Sequence, residues 1–341
     1  MKNWIYISIL AFGLLSCTPD DDYYGPLSTA ENDTVVTTAH EYAIILNEGN
    51  FMWGNASVSL IDIEDQRVQN DVFYKANGQL LGDVAQSIFI DQDTGYIVVN
   101  NSGKIELVQL PSFERIRTIN GLTSPRYVTK YQNRLYVTDL YSGNITVMDQ
   151  LGNVVSTIST GVWTERITAT DAGLFVETVS DSIGDLLFYP QFQNQPLTLI
   201  DDAVDYDFRE EGIYAFHNGN LSFIDVQTGA ISTPDSTIYQ PQSKVTSILV
   251  DSDRNRIYYQ QNDIYSSTLF DVSDAELFYD ITDERIYNWS VNPTDGSLFL
   301  VNVSDYTQNG SVLIVTPEGS AVNDFELGII PSNVTFYSRI Q

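Results

Sequence analysis

The chain has 341 residues, of which 43% are apolar, 12% aromatic and 18% charged, so its composition is that of a folded protein and not of a disordered one. Asp and Glu number 45 against 16 Lys and Arg, and the formal net charge of −29 argues against nucleic acid and anionic lipid as partners of the folded body. One cysteine excludes a disulfide framework. With two histidines it supplies too few ligands for a typical zinc or copper site, so we expect no metal.

Residues 1–16 have the pattern of a bacterial signal peptide. Lys2 precedes an apolar run of about twelve residues, whereas a membrane span needs roughly 20. The run ends in Leu14-Leu15-Ser16-Cys17, which looks like a lipobox, so we expect Cys17 to be lipidated and to begin the mature chain. An ordinary secretory signal and a buried core segment are the alternatives.

Residues 17–41 have no periodic pattern and are predicted to form a flexible acidic tether that includes His40. The cluster Asp20-Asp21-Asp22 resembles the surface-export signal of Bacteroidetes lipoproteins, and its alternative interpretation is a solvated linker. We therefore expect an outer-membrane lipoprotein that faces the cell exterior and touches the membrane through its lipid anchor alone.

From residue 42 onward the sequence repeats a pattern of four short β-rich segments separated by turn residues. One unit has segments at 86–91, 96–100, 104–109 and 115–119, and later units begin near residues 126, 167, 204, 245 and 289. Units of four strands that recur about every 40 residues are typical of β-propeller blades.

The strands at the two ends of the repeated region add up to one four-stranded unit. The first unit has three convincing strands, and one strand, residues 333–337, is left over after the last unit. Pairing them would remove the exposed edges of an open array. We therefore predict an all-β fold, a seven-bladed β-propeller over residues 42–341 in which the C-terminal strand closes the first blade. A β-solenoid or two sandwiches are the alternatives.

The sequence has no recognised catalytic signature. It lacks a Gly-x-Ser-x-Gly elbow, a His-Glu-x-x-His helix and a phosphate-binding glycine loop, and His217 is predicted to lie in a loop. The segment Asp91-Gln92-Asp93-Thr94-Gly95 has the wrong spacing for a calcium loop and is interpreted as a hairpin turn. We therefore predict that the protein has no catalytic residues and is not an enzyme.

The loops that gather on one face of a propeller carry aromatic residues among amides, hydroxyls and two arginines. Aromatic faces and directed hydrogen bonds together suit a bulky and polar ligand. The candidate ligand-binding residues are Phe51, Trp53, Asn101, Arg126, Tyr141, Trp163, Arg166, Tyr287 and Trp289.

The segment Leu46-Asn47-Glu48-Gly49-Asn50-Phe51, together with residues 54–59, 141–149 and 162–167, resembles the YncE-like β-propeller surface lipoproteins of Bacteroidetes. The resemblance implies capture of cobalamin or a related corrinoid as a bound ligand and not as a cofactor. It also implies delivery of that ligand to an outer-membrane TonB-dependent transporter. A surface propeller that binds glycan or protein and, less favoured, a propeller hydrolase or lyase are the alternatives.

Overall fold

The computed structural model describes residues 39–180, 183–233, 244–282 and 284–340, and most of these residues lie in β-strands. The signal segment, Cys17 and the tether up to residue 38 lie outside the described residues. No helix within the described ranges is long and apolar enough to cross a membrane.

Short strands follow one another along the described chain with a single helical interruption. In the first part these are β1 (Ala39–Asn47), β2 (Ser57–Asp62), β3 (Arg67–Gln69), α1 (Val72–Asn77), β4 (Ala85–Asp91), β5 (Thr94–Val99), β6 (Lys104–Gln109), β7 (Glu114–Asn120), β8 (Pro125–Tyr131), β9 (Arg134–Asp139), β10 (Asn144–Asp149), β11 (Val154–Ser159), β12 (Thr164–Thr170) and β13 (Gly173–Thr178). In the second part they are β14 (Gly184–Pro190), β15 (Leu197–Phe208), β16 (Gly212–His217), β17 (Asn220–Asp225), β18 (Ile231–Ser232), β19 (Ser247–Asp251), β20 (Arg256–Gln260), β21 (Ile264–Thr268), β22 (Asp271–Tyr279), β23 (Ile286–Val291), β24 (Leu298–Asn302), β25 (Asn309–Val315), β26 (Ala321–Ile329) and β27 (Pro331–Ile340).

The strands pair as antiparallel neighbours in several four-stranded sheets, and the predicted all-β, propeller-like fold is confirmed. The four-stranded sheets have the orders β27-β1-β2-β3, β4-β5-β6-β7, β8-β9-β10-β11, β19-β20-β21-β22 and β23-β24-β25-β26, and a seven-stranded sheet runs from β12 to β18. Both ends of the described chain share one sheet, because β27 pairs with β1 from Ala39 opposite Ile340 to Asn47 opposite Pro331. The first strand therefore begins at Ala39, so that His40 lies in a strand and not in the tether.

Tight turns of two residues separate the first two strands of several sheets. Asp91 pairs with Thr94, and Gln92 has the positive φ of 54° that such a turn requires. The carboxylate of Asp91 also accepts a hydrogen bond from the Lys130 ammonium group of the next sheet. The segment that superficially resembles a calcium loop is therefore the turn of a hairpin.

The seven-stranded sheet exists because β15 is shared. Its first half pairs with β14 through residues such as Ile200, and its second half pairs with β16 from Ala203 to Phe208. The sequence predicts a loop at residues 201–205, where the structure has a continuous strand with register shifts and a positive φ of 52° at Asp202. The chain thus passes from one four-strand unit to the next without leaving the sheet.

The first sheet departs from the predicted pattern. A strand is predicted from Val68 to Tyr74, whereas the structure has the three-residue strand β3 followed by α1. Phe73 of this helix is 1% exposed and belongs to the core between the first two sheets. Burial of that side chain offsets the weak helical tendency of so short a segment.

Seven apolar clusters lie between neighbouring units. Ile44 and Ile97 join the first and second sheets, and the other clusters follow in order around the fold. The last one joins Ile45 of β1 to Phe299 of β24, so the final sheet packs against the first. The core is therefore divided among sheet-to-sheet contacts, as in other radial β-sheet folds.

Candidate functional site

The candidate site lies where the first strands of successive units begin. Seven polar side chains occupy equivalent positions there, about 40 residues apart in the sequence: Gln86, Arg126, Arg166, Asp205, Ser247, Asn288 and Asn333. They line two adjoining cavities of about 490 and 450 Å³, and both cavities are lined by Tyr127, Tyr287, Asn288 and Asn333. We call the entrance that these residues surround the mouth.

Arg126 connects three units of the fold at the mouth. Its Nε donates hydrogen bonds to both carboxylate oxygens of Glu165 at 2.9 Å, and its Nη1 donates to the side-chain oxygen of Gln86. These contacts join β8 to β12 on one side and to β4 on the other. The guanidinium group is thereby fixed in direction, since both ends of its fork are engaged.

Arg166 continues the same network. Its Nη2 donates to Glu177 and to Asp205, each at 3.0 Å. Asp205 in turn accepts a hydrogen bond from the Ser247 hydroxyl at 3.0 Å, and that hydroxyl accepts one from the indole Nε1 of Trp289 at 2.8 Å. A chain of polar contacts therefore runs around the mouth from β4 to β23.

Burial and neighbouring charges shift the pKa values of Glu165 and Arg166 in opposite directions. Burial raises the pKa of Glu165, although the neighbouring Arg126 lowers it, and burial raises the pKa of the Tyr127 hydroxyl to about 12. Burial also opposes the charge of Arg166, but Glu177 and Asp205 hold its pKa well above the usual value. Arg166 is therefore always charged, and its positive charge is matched within the mouth.

Glu48 is a different kind of carboxylate. Its Oε1 accepts a hydrogen bond of 3.4 Å from the Tyr287 hydroxyl, and it makes no ion pair with another described residue. Burial raises its pKa, whereas the Ser332 and Tyr287 hydroxyls and the charge of Arg126 lower it. The same environment raises the pKa of Tyr287 to about 12, chiefly through burial.

The loop between β1 and β2 projects large apolar side chains beside the mouth. Phe51, Met52 and Trp53 are 64%, 76% and 77% exposed, and Phe51 also lines the smaller cavity. Three consecutive exposed apolar residues are unusual on a folded protein and indicate contact with a ligand or partner.

Internal hydrogen bonds hold this loop in shape. The Asn55 side chain accepts from the Asn50 backbone at 2.8 Å, and Asn50 Nδ2 donates to the Tyr306 carbonyl at 2.7 Å. Gly49 has a φ of 73°, and a Cβ there would lie 2.6 Å from the Asn55 side chain, so only glycine fits. The motif that carries the family resemblance therefore builds this projecting loop.

Two aromatic pairs extend the apolar surface. Tyr141 and Trp163 are 64% and 50% exposed and meet edge to face with ring centroids 5.8 Å apart. Tyr287 and Tyr306 meet in the same way at 6.1 Å. These four residues lie in or beside the segments that the sequence places on one face.

The remaining candidates occupy other environments. Trp289 is only 7% exposed, because it lies in β23 and packs in the core with its indole nitrogen toward the larger cavity. Asn101 is exposed in the turn after β5, where its side chain donates to Asp83. The sequence predicts a loop at residues 283–289, which is shorter in the structure because β23 begins at Ile286.

The carboxylates of the mouth were not among the predicted site residues. They are Glu48, Glu165, Glu177, Asp205 and Asp207. They occupy different places in their strands: Glu48 follows β1, Glu165 lies near the start of β12, Glu177 lies near the end of β13, and the two aspartates lie in the second half of β15, so no single sequence signal marks them. Burial raises the pKa of Asp207, while a hydrogen-bonded Arg209 lowers it.

Among the described residues, one group of possible metal ligands lies outside the mouth. His40 Nε2 is 2.8 Å from a carboxylate oxygen of Asp62 and 3.2 Å from one of Glu64. The hydrogen bond to Asp62 raises the pKa of His40, so the three groups satisfy one another as an ion pair.

The fold and the mouth define a β-propeller-like protein with two adjoining polar cavities. No protein-family model and no curated protein matches the chain. Solved structures that do match include a quinoprotein alcohol dehydrogenase-like protein from Bacteroides thetaiotaomicron, with 13% identity over 86% of this chain and 77% of that one and a TM-score of 0.64. Another is the periplasmic gluconolactonase of Pseudomonas aeruginosa, with 13% identity over 88% and 100% of the two chains and a TM-score of 0.61. A third, from Bacteroides fragilis, is described as a candidate 6-phosphogluconolactonase, with 12% identity over 89% and 99% and a TM-score of 0.58.

These neighbours correct one prediction. The expectation that the protein is not an enzyme is wrong as an inference from missing motifs, because proteins of this fold bear the names of lactone-cleaving enzymes. Their low identity shows a shared fold and not a shared reaction. The YncE-like resemblance stays a prediction.

Proposed function

We propose that the mouth and its aromatic loops form a binding site for a bulky, polar and nearly neutral small molecule, and that this ligand is cobalamin or a related corrinoid. The observation that carries the proposal is that Phe51 and Tyr287 are exposed and line a polar cavity, while the exposed pair Tyr141 and Trp163 extends the aromatic surface on neighbouring loops. A planar ligand with apolar faces and polar edges matches both parts of this surface.

The shape of the fold supports this geometry. We infer that the sheets form seven blades, with β15 contributing to two of them and β27 closing the first. The pairing of β27 with β1 and the packing of the last sheet on the first support that inference. In such a ring the loops at one end surround a single opening, which favours one ligand for each chain.

The proposed cellular role rests on the N-terminal sequence. A lipid on Cys17 would anchor the protein in the outer membrane, and residues 18–38 would let the folded body reach the exterior and a TonB-dependent transporter on the same membrane. In this role the protein captures the ligand and passes it to the transporter.

The test is direct binding of cyanocobalamin to residues 18–341. We expect red colour to elute with the protein from a desalting column at about one ligand per chain, since slow dissociation suits a capture role. The double variant Trp53→Ala/Trp163→Ala is expected to lose about tenfold or more in affinity. Leu151→Ala, a change of a residue 71% exposed in a turn between β10 and β11, is the matched control. A colourless protein peak and no heat in calorimetry at micromolar concentrations would reject the corrinoid.

A second candidate function is hydrolysis of a sugar lactone in the same cavity. Glu48 favours it, because a carboxylate without an ion pair, with a pKa raised by burial and an arginine nearby, can act as a general base toward water. The names of two structural neighbours indicate the substrate class to try. We expect glucono-δ-lactone to be opened faster with protein than without it, and Glu48→Gln to remove the difference. An unchanged rate would exclude this candidate.

A further inference from the structure

Most polar groups at the mouth are already engaged by the fold. Arg126 and Arg166 both bind carboxylates from neighbouring strands, and Asp205 accepts hydrogen bonds from the Ser247 hydroxyl and the Ile248 backbone at 3.0 Å each. Breaking such contacts to bind a ligand would leave buried charges unpaired. This side of the mouth therefore acts as a preformed wall.

Unused hydrogen-bonding capacity is concentrated on the opposite side, in a group that we call the open corner. It consists of Glu48, Tyr287, Asn288 and Asn333, which line the same 450 Å³ cavity. The side-chain oxygen of Asn288 accepts from the backbone of Trp289 at 2.7 Å, and that of Asn333 accepts from the hydroxyl of Thr335 at 2.9 Å. Within the described part of the chain, the two Nδ2 groups donate to no other residue.

The open corner also holds one unused acceptor. Glu48 accepts a long hydrogen bond of 3.4 Å from Tyr287, the nearby Ser332 hydroxyl also lowers its pKa, and it makes no ion pair with the described residues, so its carboxylate keeps acceptor capacity. Its negative charge disfavours an anionic ligand group. The two Asn Nδ2 donors beside it require an acceptor, which an ammonium group lacks, so a neutral group that both accepts and donates fits best.

We propose that the open corner is a subsite for a neutral primary carboxamide of the ligand. The carbonyl oxygen of the carboxamide accepts from Asn288 and Asn333, and its N–H group donates to Glu48. Two donors and one acceptor on one wall match a carboxamide, which has one end that accepts and one that donates. A carboxylate can only accept and an ammonium group can only donate, so neither satisfies both kinds of partner. Phe51 on the same cavity wall supplies apolar contact for the carbon skeleton that carries the amide.

This inference rests on the proposed function, since a corrinoid carries carboxamides around an apolar ring. It adds a prediction that corrinoid binding alone does not make: the site should distinguish a carboxamide from a carboxylate at one position of the ligand. Replacing the recognised amide by a carboxylate would place two negative charges together at Glu48, and the site should reject the altered ligand.

The experiment compares cyanocobalamin with its monocarboxylic acid derivatives, in each of which one peripheral amide has become a carboxylate. Affinities for residues 18–341 are measured by calorimetry at pH 7.5. We expect the natural chain to bind at least one monoacid about tenfold or more weaker than cyanocobalamin, and Glu48→Gln to bind that monoacid within about threefold of cyanocobalamin. Glu318→Gln, an exposed change away from both cavities of the mouth, should discriminate as the natural chain does.

A second variant keeps the test independent of how Glu48→Gln folds. Asn288 is exposed, and Asn288→Ala is expected to weaken the binding of cyanocobalamin about fivefold because one hydrogen-bond donor is lost. If Glu48→Gln discriminates against every monoacid as the natural chain does, or if Asn288→Ala has no effect, the carboxamide subsite is overturned while corrinoid binding stands. If the natural chain does not bind cyanocobalamin, the subsite and the proposed function fall together.

Discussion

Arg126 and Arg166 show how one side chain serves both the fold and the mouth. Arg126 reaches strands from both neighbouring units, Arg166 reaches β13 of its own unit and β15, and each lines a cavity. Lysine cannot reproduce these forked contacts, because it offers a point charge where arginine offers a planar fork. Loss of binding on changing either arginine would therefore report disturbance of the mouth as much as loss of a ligand contact.

The two histidines should affect stability in opposite directions with pH. The hydrogen bond to Asp62, helped by the charges of Glu64 and Asp65, raises the pKa of His40. Its contribution is therefore fully present below the unfolded pKa of about 6.5 and is lost as pH rises through the folded pKa. His40→Gln should remove a stabilisation of about 0.5 kcal/mol at pH 6 and almost none at pH 9, as measured by urea unfolding.

His217 provides the matched control. Burial lowers its pKa, so the unfolded chain binds the proton more readily and the folded state loses stability as pH falls below about 6.5. His217→Gln should therefore remove a loss of stability at low pH, the reverse of the result for His40→Gln. Equal pH profiles for both variants would show that neither shift contributes to folding.

At the scale of elements, the loop between β1 and β2 depends on a residue outside it. The Asp83 carboxylate accepts from the Met52 backbone at 2.9 Å and from the Asn101 side chain, and its own backbone nitrogen donates to Ser102. Asp83→Ala should release Met52 and Asn101 together while leaving the strands intact. We expect ligand affinity to fall about fivefold, because the aromatic loop must then be ordered on binding.

The control for this prediction separates loop order from general stability. Asp149 caps its own turn between β10 and β11 by accepting from Leu151 and Asn153, away from the mouth. Asp149→Ala should cost comparable stability without changing affinity. Equal losses of affinity in the two variants would contradict a role of Asp83 in ordering the loop.

The strand pattern could be predicted because each strand carries its own signal. Hairpins such as that at Asp91 have turn residues between apolar segments, and the orphan C-terminal strand was visible as a segment without a unit. The continuity of β15 could not be predicted, since Asp201 and Asp202 are typical of a loop and only the pairing of Ile200 and Ala203 on either side of them continues the strand.

The site could be predicted only in part, because aromatic residues in loops are visible in a sequence and contacts between units are not. Phe51 is exposed at the smaller cavity and Trp163 is exposed on its loop, as expected, whereas Trp289 is buried by a strand that begins earlier than predicted. Glu48 lies within the segment that carries the YncE-like resemblance, but its contact with Tyr287 joins residues far apart in the sequence and could not be predicted.

At the scale of the whole molecule, the charge distribution separates the mouth from the surface. The chain carries a formal net charge of −29, yet Arg126, Arg166 and Arg209 are placed at the cavities with carboxylate partners. The five carboxylates of the mouth therefore face three arginines, so the mouth is less one-sided in charge than the chain as a whole. An acidic exterior repels anions from a distance and leaves a neutral ligand unaffected.

The junction of the two chain ends should decide whether the whole fold forms. β27 pairs with β1 along nine register positions, and its Tyr337 is 5% exposed in the core between the first two sheets. Val334 and Phe336 pack on the cluster between the last sheet and the first. Buried side chains of this size contribute about 1.5–3 kcal/mol each, and a domain has only about 5–15 kcal/mol of net stability.

A chain that ends at Ile330 should therefore lose its cooperative thermal transition and aggregate through the exposed edge of β1. A chain that ends at Ser338 should melt within about 3 °C of the full chain. A separate peptide of residues 331–341 should restore the transition to the shorter chain, because it can add as a strand to the free edge. An unchanged cooperative transition in the chain that ends at Ile330 would show that the first sheet is stable without its closing strand.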